Sequence, residues 1–171
     1  MVNLTGQIAI QTKPSDWVTQ GIATVTNSDV FHVVIAISET ECIGAQPGGA
    51  KILPIDYSPN LVWSKFDLTP QQAQACADWA RAREHRPYSF INDALIGISC
   101  LFGITFPRFI TKHFSNDKTY ECAQLADAAL TLGAGISVFD DSRPFGTVYP
   151  GSFEVLFKKY GWWTVSNNLH V

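Results

Sequence analysis

Charge is scarce in this chain. Asp, Glu, Lys and Arg make up 16% of its 171 residues, and hydrophobic residues make up 46%. An ordinary soluble domain carries about a quarter charged residues, and a disordered chain needs more charge and less apolar content still, so disorder is excluded. No run of five or more Lys and Arg exists, and the formal net charge is −3, which argues against a nucleic-acid partner. Long apolar runs are also missing. The longest, Ala94 to Phe106, is broken by Gly97, Ser99 and Gly103 and falls short of the roughly 20 residues that a bilayer span requires. No transmembrane segment is expected; the run suits a buried helix, an apolar wall for an acyl chain or a membrane-surface patch. Met1-Val-Asn-Leu-Thr has neither a charged leader nor an apolar stretch, so no signal peptide is expected. Cysteine is confined to Cys42, Cys76, Cys100 and Cys122. No two form a C-x-x-C pair, which excludes a zinc ribbon, and thiols rather than disulfides are expected. Nothing implies a metal or another cofactor.

What is present reads as one domain over residues 1–171, without linker or repeat. Gly6 to Gln11 alternates apolar and polar and predicts a strand. Pro14 opens a helix that Ser15 or Asp16 can cap. Val30 to Ile37 is almost wholly apolar and β-branched, the pattern of a central strand buried on both faces. Glu41 to Ala45, Ala50 to Ile55 and Leu61 to Phe66 predict further strands, with a turn at Gln46-Pro-Gly-Gly. Thr69-Pro-Gln-Gln has a cap residue followed by Pro at the first helical position; that helix is expected to run until Pro87. Asn92 to Phe102 predicts a mostly buried helix, and Pro107 to Lys118 reads as irregular. Glu121 to Leu132 is the best-patterned helix, with Cys122, Leu125, Ala126, Ala129 and Leu130 on one face. Phe153 to Phe157 and Trp162 to Val165 are expected as closing strands. The fold class is α+β, a mainly antiparallel sheet flanked by helices.

Gly44-Ala-Gln-Pro-Gly-Gly-Ala-Lys51 is a poor phosphate loop. Its Lys comes one residue late, no Ser or Thr follows, and a strand rather than a helix comes next. Cys122 carries more information. It stands in the first turn of a helix, where partial positive charge and free N–H groups favour the reactive thiolate and could steady an oxyanion beside it. The position equally suits a small core residue. His32 interrupts an apolar strand, where an imidazole needs a polar partner; it is either a core histidine bonded to a carbonyl or the base for a distant cysteine. His85 and His113 are expected at the surface, and His170 near the chain end. Asp93, Asp127 and Asp140-Asp-Ser read as solvated carboxylates.

Taken in order, these segments resemble a known family. Gly6-Gln-Ile-Ala-Ile is similar to a Gly-Asp-Ile opening strand. Phe31-His-Val-Val-Ile-Ala-Ile resembles a Ser-His-Val-Gly-Ile-Tyr strand, and Ile43-Gly-Ala-Gln-Pro-Gly-Gly-Ala-Lys-Ile the Ile-Glu-Ala strand after it. Arg86-Pro-Tyr-Ser-Phe resembles a Gly-x-Pro-Tyr element, Tyr120-Glu-Cys-Ala-Gln-Leu-Ala a Cys-Ser-Glu-Leu-Val helix start, and Val148-Tyr-Pro-Gly-Ser-Phe a closing Thr-Pro-Gly-Asp-Leu. The arrangement, with His before Cys, resembles the circularly permuted NlpC-like (YiiX-like) hydrolases of the papain fold, over about residues 6 to 156.

The resemblance implies Cys122 as nucleophile and His32 as general base. Tyr88 matches a tyrosine that in unpermuted relatives lies near the oxyanion site; it also suits an aromatic packed beside Pro87. The family's third polar residue, which orients the base, falls on Gly44, which has no side chain. Gln46, two residues on and on the same face if the strand continues, could take that part through its amide, or simply belong to the turn before Pro47. The implied reaction is cleavage of an amide bond, as in a cell-wall stem peptide. A lipid or thioester substrate is the second enzymatic option. Gly44, and Ala123-Gln in place of Ser-Glu, leave open a non-catalytic structural or binding module on the same scaffold. A cytoplasmic or virion-associated protein is implied, with protein partners if it belongs to a phage particle.

Overall fold

The computed structural model describes residues 3–12, 29–30, 32–46, 48–56, 60–86, 121–139 and 148–163. Five strands form one antiparallel sheet: β1 (Ile8–Gln11), β2 (His32–Ala36), β3 (Glu41–Gln46), β4 (Gly49–Pro54) and β5 (Leu61–Trp63), in the order β4-β3-β2-β1-β5. The central position of β2 explains why its residues are apolar in succession: both faces are covered. Ile8 pairs with Ile35, Ile10 with Val33, and Ile35 with Ile43. These residues and Ala45 enter one large apolar cluster. Ala9, Val34, Ala36 and Cys42 alternate to the opposite face and form a second, smaller one.

The β3–β4 turn is tighter than Gln46-Pro-Gly-Gly suggests. Gln46 is still in β3 and pairs with Gly49. Gly48 and Gly49 both adopt positive φ, at 93° and 112°, which an L side chain resists. β5 stops at Trp63 rather than Phe66. Beyond it the backbone turns to the Gln7 side chain, whose Oε1 accepts from Phe66 N at 3.0 Å and whose Nε2 donates to Phe66 O at 2.9 Å.

Helix α1 (Pro70–Arg81) starts as its sequence requires. Gln72 N donates to Thr69 Oγ1 at 3.2 Å, and Thr69 N donates to Gln72 Oε1 at 3.0 Å, a reciprocal capping box. It ends at Arg81, well before Pro87. The chain after it is drawn to the sheet, with His85 N donating to Ala50 O and Ala50 N to Arg86 O.

Helix α2 (Cys122–Ala128) passes directly into a π-helical turn, Ala129–Gly133. Every residue of α2 is buried, Gln124 and Asp127 included, so Asp127 is not the surface carboxylate expected. The reason is that α2 has neighbours all round: β2 and β3 beneath it and a third helix beside it, while the π turn packs on α1. Alanines at 123, 126, 128 and 129 permit this close approach. Gly133 does the same for α1, since a Cβ there would sit 2.8 Å from Trp79 Cβ and 3.0 Å from Ala75 O.

Helix α3 (Pro150–Lys159) replaces the strand expected over Phe153 to Phe157. Pro150 supplies the first helical turn. Phe153, Leu156 and Phe157 are buried at helical spacing, whereas Val155 is 68% exposed; alternation would have put 153, 155 and 157 on one face. Trp162 and Trp163 are not in a strand either. Trp162 packs edge-on to Phe66 and Phe157 and stacks on Tyr160. The segments expected as helices from Pro14 and over Asn92 to Phe102, and the irregular stretch to Lys118, lie outside the described residues. Among the described residues no helix is long and apolar enough to cross a membrane.

These facts set opposite outcomes for neighbouring substitutions. Phe153→Ala is expected to cost about 3–5 kcal/mol in urea unfolding, and Leu156→Asp to be strongly destabilising. Val155→Asp is expected to stay within about 0.5 kcal/mol. Equal damage at 155 and 156 would contradict the helix.

Candidate active site

Cys122 is the first residue of α2 and is 5% exposed. Its local order comes from Glu121 and Gln124, which close the first turn: Glu121 N donates to Gln124 Oε1 at 3.4 Å. Cys122 is a thiol rather than half of a disulfide, and it packs in the large cluster with Val33, Ile35, Ile43 and Ala45.

His32 is the first residue of β2. Its ring lies over Gly44. A Cβ built on Gly44 would be 2.8 Å from His32 Nε2, 3.3 Å from Cε1 and 3.0 Å from Val34 Cγ1. By strand alternation this is the face of Val34, Ala36 and Cys42. Helix α2 covers the other face. The structure therefore does not join the two residues expected to act together.

The electrostatics agree with that separation. Burial pushes the His32 imidazole down from 6.5 to about 4, with desolvation as its cause. A neighbouring thiolate would act in the opposite direction, because an anion favours the charged ring. His32 is thus neutral at pH 7. It is in the form that accepts a proton, but it is not held as an imidazolium against sulfur.

Gln46 closes β3, and its side chain lies outside the described residues, as does Tyr88. Cys42 shares His32's sheet face, but burial pushes its thiol up to about 11. Cys76 is pushed up to about 12 by burial and donates to Gly6 O at 3.7 Å. Both are packing thiols, inert in this range. His85 is at the surface, as expected, with its side chain 83% exposed. Cys100 and His113 are outside the described residues. Among the described residues no group of His, Cys, Asp and Glu is gathered that could hold a metal ion.

Sequence reasoning missed the polar character of α2's surroundings. Glu121, Gln124 and Asp127 are all buried, and Gln124 Nε2 has no hydrogen-bond partner among the described residues. A buried amide donor left unmatched is costly. The available signal was the density of alanine on every side of this helix, which marks a helix buried all round rather than one with a solvent face.

The His32 shift sets a pH dependence. The folded-state pKa lies below the unfolded one, so His32 favours folding fully above about 6.5 and loses that contribution as pH falls toward about 4. Between pH 7 and 4.5 this amounts to roughly 2 kcal/mol. Urea unfolding of the natural chain is expected to lose that much more stability over this interval than His32→Gln does; equal losses would contradict a buried neutral ring. In comparisons with known proteins, no family model matches the chain, and no curated protein gives a significant match.

Proposed function

We propose that this chain is a cysteine hydrolase that cleaves an amide bond, with Cys122 as nucleophile and His32 as the proton-transfer group. The observation that supports it is the seating of α2 directly on β2. One element begins with Cys122 and the other with His32, and they are distant in sequence. The order of sequence motifs points the same way.

The chemistry follows from the two groups. The Cys122 thiol gives its proton to His32 and attacks the carbonyl carbon. The carbonyl π electrons move to oxygen, then return as the C–N bond breaks, and His32 delivers the proton to the leaving amine. Water, deprotonated by His32, attacks the thioester and restores the thiol. With His32 on the sheet face opposite α2, this sequence requires a change in how β2 presents His32, such as a one-residue shift, rather than a turn of the ring alone. A stem peptide of a cell wall is the substrate class proposed, and a thioester or lipid ester the second enzymatic option. A phage particle or cytoplasm is the proposed setting.

One observation favours a different reading. His32 is turned to the opposite sheet face and no side chain stands at position 44 to orient it. A structural or binding module on the same scaffold, without turnover, fits that arrangement.

Thiol alkylation across pH, read cysteine by cysteine by peptide mapping, separates them. The hydrolase requires Cys122 to react fastest and at a pH below the ordinary thiol range, and His32→Ala to slow it. Turnover of stem peptides or short thioesters is expected to fall by about 10² or more in His32→Ala and to vanish in Cys122→Ala. Labelling of Cys122 no faster than Cys42, Cys76 and Cys100 would leave the non-catalytic module.

A further inference from the structure

The outward residues of α3 are of two kinds. Phe153, Leu156 and Phe157 are buried, which leaves Val155, Lys158 and Lys159 exposed, with Tyr160 following at the helix end. Lysines in a last turn have a reason within the helix, because they answer its negative end. Val155, 68% exposed, and Tyr160, 52% exposed, have no such reason; a branched aliphatic side chain on a solvent face adds nothing to a helix. The turn that follows adds more apolar surface. Tyr160 stacks on Trp162 with ring centroids 4.8 Å apart, and Trp162 and Trp163 are only partly buried against the core. The amines lie among these rings. Lys159 Nζ is 5.9 Å from the centre of the Tyr160 ring, and Lys158 Nζ is 5.0 Å from that of Trp163. One carboxylate stands close by. Glu154 pairs with Lys158, but its side chain is 12% exposed against 43% for the lysine, so the pair turns its cationic end outward.

From this we propose that the outer face of α3, with the turn Tyr160–Trp163, is a contact for the surface of a membrane that carries anionic phospholipid. The chemistry selects this partner. At the boundary of headgroups and acyl chains, Trp and Tyr rings keep an apolar body inward and a polar tip outward, and lysine amines reach phosphate on long apolar stems. Val155 supplies apolar contact, and Lys158 and Lys159 supply the complementary charge. The centre of a protein–protein interface favours Arg and disfavours Lys, whereas Val155 to Trp163 holds two Lys and no Arg. Two amines are too few to follow a nucleic-acid backbone. The contact is a surface one, since among the described residues no helix is long and apolar enough to cross a membrane. It is independent of Cys122 and His32 and holds whether or not the chain turns over a substrate.

The test uses the full chain and vesicles either of phosphatidylcholine alone or of phosphatidylcholine and phosphatidylserine in equal parts, read by flotation. The chain is expected to float with the mixed vesicles, to float less with phosphatidylcholine alone, and to be released as salt is raised. Val155→Asp is expected to weaken mixed-vesicle binding several-fold, and Lys158→Gln with Lys159→Gln to do the same, while urea unfolding shows each variant folded. Leu53→Asp, an exposed position on the edge strand β4, is expected to leave binding unchanged. Absence of flotation with the mixed vesicles overturns the proposal. So does flotation that the α3 variants leave unchanged, or that Leu53→Asp weakens as much. Equal flotation with both compositions overturns the part given to the lysines. Self-association that Val155→Asp relieves, without flotation, would make this face a contact between copies of the chain and overturn the membrane.

Discussion

The packing of α2 on β2 is the contact on which the other elements depend. β2 is central in a five-stranded sheet, so its residues must be apolar on both faces, and α2 must be small-sided enough to lie on one of them. Cys122, Ala123, Leu125 and Ala126 meet Val33 and Ile35 there within a single cluster that also takes in Cys76, Ala77 and Ala80 of α1 and Phe153 and Phe157 of α3. Burying each large side chain of such a cluster contributes roughly 1.5–3 kcal/mol before conformational entropy is set against it. Without α2, the sheet would expose that face, and α1 and α3 would lose the surface they share.

This constraint has a chemical consequence. A helix enclosed on every side holds its first residue firmly but shields it. Cys122 is therefore well placed and poorly exposed, and a substrate would have to come in at the α2 start. His32 is placed by a separate rule. Strand alternation turns it away from α2, and Gly44 provides the room where the ring settles. The two groups are close in architecture, on contacting elements, yet separated by the sheet itself. A cysteine hydrolase on this scaffold would need His32 presented to the α2 face, and a non-catalytic module is the same scaffold as it stands.

Much of the fold was legible because its signals are local. The apolar, β-branched run at Val30 to Ile37, interrupted only by His32, has the pattern of a strand covered on both sides, and Thr69-Pro-Gln-Gln supplied a complete helix start. α3 was misread because Phe153, Val155 and Phe157 satisfy alternation while Phe153, Leu156 and Phe157 satisfy a helix. Pro150, a good first helical residue, decides between them. The burial of Asp127 and Gln124 was not legible because it depends on which elements surround α2, a property of tertiary packing. At the site, Cys122 at a helix start and His32 in an apolar strand could be read from sequence. Their faces could not, since a one-residue change of register reverses which side a strand residue looks to. Gly44 read as a gap in the pattern, and only coordinates show the ring that fills it.

The most direct measurement is acyl transfer onto the protein. The chain is exposed to an activated acyl ester at neutral pH, quenched in acid, and mapped by mass. The account requires one acyl group, carried on Cys122 and greatly diminished in His32→Ala. Acylation spread over several nucleophiles, or unaffected by loss of His32, would contradict it.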